Sequence, residues 1–357
     1  MILFTGDLFL GNSKIQIDNE ILSLINNSNY IVSNFESVWK DDTLPKREDK
    51  GSILQFERNS LDNYLSQVKS KLIFTLGNNH IHDLGERGLQ QTREFLKNYK
   101  NIILFGAGYY SEIIKPYIIE SNKKKIAVLC LSTDEPEVMS KLATDKFQGV
   151  LDYNDIRISE VIKNIKKTVD YFVIIPHWGR EYIDYPAVQL RNKAYSWIDA
   201  GADIVIGHHP HVIQGKEQYK GKWIYYSLGN YIFPEFYTKN GLKQSWKPEN
   251  NQSILLEINF LDNISIKETG LEFDIKSNTL LNNAKSLKIF YNKSKLLDRS
   301  LITIKRYFGI WERNYLEKIS NQYDESNNII KRYLPKHREY SRLGYFFIRL
   351  LKKIKGK

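Results

Sequence analysis

A short run of β-branched residues that ends in a cluster of histidines is the feature that most constrains this chain. Ile204, Val205 and Ile206 lead directly into Gly207-His208-His209-Pro210-His211. A β-branched run stopped by glycine predicts a buried strand that ends in a loop. This loop holds three of the seven histidines. Three imidazoles within four residues are hard to explain as packing, so we interpret the loop as a ligand-binding segment.

The same arrangement recurs along the chain, where apolar runs alternate with helical segments and end in polar residues. Strands are predicted at residues 2–5, 30–33, 72–76 and 171–175, while the charged residues 40–52 are expected to form a surface loop. The residues at the strand ends are Asp7, Asn34, Glu36, Asn79, His80, His177, His208, His209 and His211. This alternation favours an α/β fold, in which ligands bind outside the carboxyl ends of the strands. We therefore expect these side chains to converge on one site.

Two hairpins complete the expected sheets. The first joins residues 117–119 to 125–131 with Ser121-Asn122 at its turn, and the second joins residues 253–260 to 264–269. Two half-sheets with helices outside them fit this order of elements.

The residue types at the strand ends point to a metal site. Carboxylate, amide oxygen and imidazole together suit zinc, manganese, iron or magnesium. Cys130 is the only cysteine and lies in an apolar run, so a thiolate site is excluded and a buried structural thiol is expected. A bridging carboxylate, Glu36 or Asp7, can hold two ions about 3.5 to 4 Å apart. We expect one or two divalent ions.

Other kinds of site fit less well. A nucleophilic triad lacks support because Gly-x-Ser-x-Gly is absent. Gly106-Ala107-Gly108 is too short for a dinucleotide-binding fingerprint. Structural roles stay open for single residues, since His80 can cap the following helix and His177, beside Trp178, can be a packed core histidine.

The net charge of +11 is unevenly distributed. Residues 285–357 hold 19 Lys and Arg against 6 Asp and Glu, which leaves the remainder slightly acidic. No nucleic-acid partner is expected, because the basic residues lie outside the histidine-bearing part. If residues 340–357 are helical, one face is apolar and the other basic, which suits an anionic membrane surface and docking on its own domain or on a partner equally.

Location and domain division follow from the same patterns. The N-terminus has no basic region followed by an apolar stretch, and nothing reaches the length of a membrane span. The expected location is cytoplasmic, peripheral at the inner membrane face. We divide the chain into a domain at 1–270 and a basic helical extension at 271–357.

At several positions in order, the sequence resembles the CapA family of capsule or poly-γ-glutamate biosynthesis proteins. The matching segments are Gly6-Asp7, Asn34-Phe35-Glu36, Asn78-Asn79-His80 with Asp83 and Gly85, Gly106-Ala107-Gly108, His177-Trp178-Gly179 with Glu181, Gly207-His208-His209-Pro210-His211 with Gln214, and Tyr226-Ser227-Leu228-Gly229-Asn230. The resemblance covers about residues 1–260, and the string from Gly207 to Asn230 is its most specific part.

That family is similar to the calcineurin-like metallophosphoesterases, and the resemblance implies their four-layer α/β/β/α sandwich around a two-metal site. The implied metal ligands are Asp7, Glu36 as the bridging carboxylate, Asn79, His177, His209 and His211. The resemblance implies that His80 is a general acid or phosphate-binding residue. Asn34, Asn79, Asn230 and Arg180 are expected to position the substrate.

The sequence departs from the phosphoesterase pattern at one ligand. Phe9 stands where an Asp-x-His motif has its histidine, so one metal position is short of a ligand. Either His208 compensates or that position is weak.

Two functions follow from the resemblance. The first is a metal-dependent hydrolase that acts on a phosphorylated or polyanionic precursor of a surface polymer. The second is a non-catalytic accessory subunit of a membrane polymer synthase that retains the fold.

Overall fold

The computed structural model describes residues 1–298 and 304–324 of the chain. Its strands are β1 (Ile2–Leu8), β2 (Gln16–Ile17), β3 (Tyr30–Phe35), β4 (Val38–Trp39), β5 (Gln55–Phe56), β6 (Lys71–Thr75), β7 (Ile102–Phe105), β8 (Ala107–Gly108), β9 (Tyr117–Ser121), β10 (Lys124–Leu131), β11 (Gly149–Val150), β12 (Tyr171–Pro176), β13 (Ile204–Ile206), β14 (Lys216–Tyr219), β15 (Lys222–Tyr225), β16 (Asn230–Ile232), β17 (Phe236–Tyr237), β18 (Lys243–Gln244), β19 (Gln252–Phe260), β20 (Ile264–Asp274) and β21 (Thr279–Asn282). Its helices are α1 (Asn19–Asn26), α2 (Arg58–Gln67), α3 (Gly85–Lys97), α4 (Tyr110–Ile113), α5 (Ile158–Ile165), α6 (Val188–Ala200), α7 (Ala284–Leu297), α8 (Ile304–Asp324) and a 3-10 helix at Pro248–Asn251.

The first sheet is built around β1, which forms from the apolar run at the N-terminus. Its strand order is β2-β21-β20-β19-β1-β3-β6-β7, and β16 pairs with the end of β1. Strands β1, β3, β6 and β7 run parallel, whereas β19 is antiparallel to β1. Strands β19 and β20 form the second of the two predicted hairpins, which is thereby confirmed.

The second sheet has the order β14-β15-β13-β12-β10-β9. Its central strands β10, β12, β13 and β15 run parallel, and the edge strands β9 and β14 are antiparallel to their neighbours. Strands β9 and β10 confirm the other predicted hairpin. Its turn lies at Asn122-Lys123 rather than Ser121-Asn122, because Asn122 and Lys123 adopt φ angles of 52° and 60° and a two-residue turn of this kind needs positive φ at both positions.

Apolar side chains on the facing sides of the two sheets form one buried core. It contains Ile2 and Phe4 from β1 together with Val173 and Ile175 from β12. Burial of each such side chain stabilises the fold by about 1.5–3 kcal/mol. The sheets therefore pack face to face.

The alternate side chains of the same strands point outward and are covered by helices. Leu3 of β1 lies in a separate core with Ile21 of α1 and Leu61 of α2. Phe172 and Ile174 of β12 are also fully buried, on the outer side of the second sheet. Helix–sheet–sheet–helix layers result, and the predicted α/β/β/α sandwich is confirmed.

The two sheets bring the carboxyl ends of their central strands together. Within the second sheet, His177 follows β12 and forms a parallel bridge with His208, which follows β13. In the first sheet, a Cβ atom added at Gly6 would lie 1.9 Å from the carbonyl oxygen of Gly229, so only glycine fits. This close approach pairs Asp7 with Asn230.

The chain after β19 continues the same architecture. The predicted boundary at residue 270 falls within β20, and α7 then buries Phe290 and Leu297. One compact unit comprises Met1–Trp311, and a second begins at Glu312.

In the part of the chain that the structure describes, no helix combines the length and apolar character needed to cross a bilayer. The predicted amphipathic helix at 340–357 lies outside the described residues.

Replacement of Gly229 by alanine should destabilise the protein more than the same change at Gly221. Both glycines have a left-handed backbone, with φ of 76° and 75°, so each substitution costs about 1–2 kcal/mol in backbone strain. An added Cβ at Gly229 also meets the carbonyl oxygen of Gln252 at 2.3 Å, whereas at Gly221 it meets nothing within 4 Å. We expect a further loss of about 1–3 kcal/mol in Gly229→Ala, measured by urea unfolding. Equal losses in the two variants would contradict this account.

Candidate metal centre

The ends of β1, β3, β6, β12 and β13 deliver polar side chains to one buried site. The structure places there, each at most 4% exposed, Asp7, Asn34, Glu36, Asn79, His80, His177, His208, His209 and His211. These residues lie at or just beyond the ends of the paired parallel strands. All the strand-end residues selected from the sequence thus lie in one region.

A first group of possible ligands surrounds Glu36, His177 and His209, whose ligand atoms lie within 4.8 Å of one another. His177 Nε2 is 3.6 Å from Glu36 Oε1 and 3.0 Å from Asn79 Oδ1. One carboxylate, one amide oxygen and two imidazoles form a donor set that suits zinc, iron or manganese.

A second group consists of Asp7, Glu36 and His211. His211 Nε2 lies 3.7 Å from Glu36 Oε1. The side-chain Oδ1 of Asn230 accepts a hydrogen bond from His211 Nδ1 at 2.8 Å, which leaves Nε2 as the ligand atom. Because Glu36 belongs to both groups, it is placed to bridge two ions.

The environment of Glu36 fits a bound cation. Its Oε1 has no hydrogen-bond partner among the described residues. The Nε2 atoms of His80, His177 and His211 lie 3.9, 3.6 and 3.7 Å from it. These separations are too long for hydrogen bonds but match two ligands that each lie about 2.1 Å from a shared ion. A divalent ion would satisfy a buried oxygen that is otherwise costly.

His209 has a second unsatisfied atom in the same place. Its Nε2 donates to the carbonyl oxygen of Glu137 at 3.0 Å, so Nδ1 is the free acceptor, and Nδ1 has no partner within the described ranges. His209 and His211 both have positive φ angles, 98° and 54°. A non-glycine residue in this conformation costs about 1–3 kcal/mol, and such strain clusters at functional sites.

The charges of the site favour cation binding. Burial raises the pKa of Glu36 well above its usual value, and the neighbouring Asp7 and Glu181 raise it further. Burial alone would lower the pKa of His211, but Glu36 and Asp7 raise it to about 10. Burial lowers the pKa of His209 to about 4, so that imidazole is neutral. Ligation of an ion by His211 would require that imidazole to lose a proton.

His80 is held by a buried carboxylate and a buried ammonium group. Its Nδ1 lies 2.6 Å from Asp83 Oδ2 and 3.1 Å from Lys50 Nζ. Lys50 also donates to the carbonyl oxygen of Asn79 at 2.9 Å. Burial lowers the pKa of His80, while the charge of Asp83 opposes that change. These contacts direct Nε2 of His80 toward Glu36.

Besides His80 and Asn230, three predicted site residues lie outside the ligand groups. His208 donates from Nε2 to the carbonyl oxygen of Thr5 at 2.9 Å, so the backbone engages it. Asn34 donates to Asp7 Oδ1 at 2.8 Å and orients that carboxylate. Arg180 is half-buried in the turn that follows His177.

Phe9 occupies an apolar environment instead of a ligand position. Its ring packs with Leu54 and Phe233 in a small separate core. The Phe9 and Phe233 ring centroids are 5.1 Å apart. No ligand can come from residue 9.

Sequence reasoning missed two residues at the site. Lys50 was expected in a surface loop, but its side chain is only 8% exposed and contacts His80. Nothing in its local sequence distinguishes it from the other charged residues of that loop. Glu181 forms a third possible ligand group with His209 and His211. The sequence signal that could have identified Glu181 as a site residue is its position four residues after His177.

These features define an α/β/β/α protein with a candidate two-ion centre at the joined ends of its sheets. The chain belongs to the family described as bacterial capsule synthesis protein PGA_cap, whose model matches residues 1–235. It is 30% identical over 249 residues to the PGA biosynthesis protein CapA of Bacillus subtilis strain 168, covering 66% of this chain and 64% of that protein. It is also 30% identical over 272 residues to the capsule biosynthesis protein CapA of Bacillus anthracis, covering 70% of this chain and 64% of that protein. The chain thus spans less than two thirds of the length of either relative.

Solved structures similar to this chain include nucleotidases. One is a putative 5′-nucleotidase from Staphylococcus aureus, with a TM-score of 0.42, 13% identity, and coverage of 82% of this chain and 58% of that chain. Another is the 5′-nucleotidase of Candida albicans SC5314, with a TM-score of 0.43, 10% identity, and coverage of 90% of this chain and 58% of that chain. The fold of this chain is defined by its own sheets and helices, and not by these likenesses.

Replacement of His209 by alanine should remove bound metal. Protein purified without chelator should carry one or two equivalents of manganese, zinc or iron, measured by inductively coupled plasma mass spectrometry. His209→Ala should lose at least one equivalent, because its free Nδ1 is a ligand atom of the first group. His82→Ala is the matched control, since His82 is also buried but pairs through Nε2 with the carbonyl oxygen of Gln148 at 2.8 Å. A full metal complement in His209→Ala would rule out the centre described here.

Proposed function

We propose that this protein is a metal-dependent hydrolase that cleaves a phosphoester during synthesis of a surface polymer. The observation that carries the proposal is the Glu36 carboxylate, which is fully buried, shared by two ligand groups and unpartnered at Oε1 among the described residues. Two such groups joined by one carboxylate are the arrangement of two-metal hydrolytic sites. Membership of the capsule synthesis family supports surface-polymer synthesis as the process.

The residues present would hold zinc, manganese, iron or magnesium. Glu36, Asn79, His177 and His209 would hold one ion, and Asp7 with Glu36 and His211 would hold the other. A bound divalent ion supplies Lewis acidity toward water and toward a phosphoryl oxygen. Asn34 keeps Asp7 oriented through its hydrogen bond at 2.8 Å.

His80 completes the proposed reaction as general acid. A water molecule loses a proton to solvent as its oxygen forms a bond to phosphorus, and the bond from phosphorus to the leaving oxygen breaks. His80 gives the leaving oxygen a proton, which it regains from solvent. Asp83 and Lys50 fix the imidazole, so that its Nε2 faces the centre. Asn79 and Arg180 would position the phosphoryl group of the substrate.

Phe9 favours a second candidate function. Its burial against Leu54 and Phe233 removes one ligand that a phosphoesterase site would have. A chain that lost activity in this way would serve as an accessory subunit of a membrane polymer synthase. The hydrolase is the better-supported candidate, because the ligand group of Glu36, Asn79, His177 and His209 is complete without residue 9.

Replacement of His80 by glutamine should separate chemistry from metal binding. With manganese-loaded protein and glycerophosphocholine as probe, a phosphodiester whose alcohol leaving group needs a proton, we expect turnover to fall about 100- to 10,000-fold while metal content is unchanged. His82→Gln, in the same turn, is the control and should keep turnover. Wild-type activity in His80→Gln would contradict the role of His80. A metal-loaded wild-type chain without turnover on phosphomonoesters or phosphodiesters would favour the accessory subunit.

The partners proposed for this function are a phosphorylated or polyanionic polymer precursor and a membrane surface or membrane synthase. The basic C-terminal region supports the membrane proposal, since each lysine or arginine near an anionic leaflet contributes about 1 kcal/mol. Such attachment would keep the hydrolase peripheral at the inner membrane face.

Neutralisation of four basic residues should weaken binding to phosphatidylglycerol vesicles. The variant carries glutamine at Arg342, Arg349, Lys352 and Lys353 in the full chain. Sedimentation should show its partition coefficient falling by about 100-fold or more. The control carries glutamine at four exposed lysines of the first unit, Lys97, Lys100, Lys123 and Lys163. Unchanged binding of the C-terminal variant would exclude this mode of membrane attachment.

A further inference from the structure

Glu181 is a half-buried carboxylate that faces the histidine loop. Its carboxylate, His209 and His211 offer ligand atoms that all lie within 4.8 Å of one another. His209 and His211 belong to different ion positions, because His209 groups with His177 and His211 groups with Asp7. Glu181 therefore lies beside both positions.

Backbone hydrogen bonds hold Glu181 against this loop from both sides. Before it, the Trp178 amide donates to the carbonyl oxygen of His208 at 3.1 Å, and after it, the Tyr182 amide donates to that of Pro210 at 2.7 Å. Tyr182 has a φ of 65°, a conformation that L residues other than asparagine and aspartate rarely adopt. The segment is thus held in a strained conformation that fixes Glu181 next to His209 and His211.

The position around Asp7 lacks a ligand that Glu181 is placed to provide. Asp7, Glu36 and His211 supply three protein ligands, and residue 9 is an apolar phenylalanine that supplies none. His208 Nε2 donates to the carbonyl oxygen of Thr5, and its Nδ1, which has no partner among the described residues, is in none of the ligand groups. We propose that Glu181 is the fourth protein ligand of the ion held by Asp7, Glu36 and His211.

This assignment makes the two ion positions chemically different. The Asp7 side would have three carboxylates and one imidazole, whereas the other side has one carboxylate, one amide oxygen and two imidazoles. Carboxylate-rich sets suit manganese or magnesium, and imidazole-rich sets suit zinc or iron. The chain would then bind manganese at both positions but prefer zinc at only one. The inference rests on the metal centre of the proposed function and adds the ligand for its second position.

The test is manganese binding by the full chain, compared between wild type and Glu181→Gln. Isothermal titration calorimetry of metal-free protein should give two ions for wild type, and for Glu181→Gln one ion, or a second one bound at least 100-fold more weakly. Electron paramagnetic resonance of the loaded proteins should show a spin-coupled manganese pair in wild type and an isolated ion in the variant. Glu181→Asp, which keeps the charge on a shorter side chain, should bind the second ion with intermediate affinity.

Glu137→Gln is the matched control. Glu137 is also half-buried and lies close by, with its backbone carbonyl accepting from His209, but its side chain is in none of the ligand groups. It should bind two ions as wild type does. The metal-free variants should unfold at the wild-type temperature, which separates loss of a ligand from loss of the fold.

The outcomes distinguish this inference from the proposed function. Two ions with wild-type affinity in Glu181→Gln would overturn the role of Glu181 and leave the hydrolase proposal intact. Binding of a single ion with the same affinity by wild type and Glu181→Gln would also overturn the role of Glu181. A wild-type chain that binds no ion would remove both proposals.

Discussion

Face-to-face packing of the two sheets is the constraint on which the rest of this structure depends. The shared apolar core of Ile2, Phe4, Val173 and Ile175 holds the two sheets so that the carboxyl ends of their central strands lie next to each other. Close backbone contacts at that end, such as Gly207 against the carbonyl of Tyr226, leave no room for a side chain. The polar residues that end the strands are thereby forced into contact, although they come from distant parts of the chain.

The same packing makes the site electrostatically demanding. Burial removes water from Asp7 and Glu36, and the Asp7 carboxylate adds to the effect of burial in raising the pKa of Glu36. His211 offsets part of this charge, and its own pKa rises as a result. Among the residues that the structure describes, His209 Nδ1 and Glu36 Oε1 have no partner, and a site with several buried carboxylates and these two atoms is most simply satisfied by cations. Family membership then gives this chemistry a context in the synthesis of surface polymers.

The departure at Phe9 illustrates how a site of this kind could be completed by a different type of ligand. Phe9 joins an apolar core with Leu54 and Phe233, which removes a donor from the Asp7 side. Glu181 lies beside the two histidines that divide between the ion positions. Exchange of an imidazole for a carboxylate would add negative charge and favour a harder ion.

The sequence by itself determined the α/β alternation, both hairpins and the group of strand-end residues, because periodicity and the end of an apolar run are local properties. Only the tertiary structure decided that Lys50 is buried beside His80, that Glu181 faces the histidine loop, and that His208 pairs with the Thr5 carbonyl. The tautomers of His209 and His211 likewise depend on Glu137 and Asn230, which lie far away in the sequence. Such contacts depend on the path of the loops across the adjoining edges of the two sheets. That path cannot be predicted from a local pattern of residues.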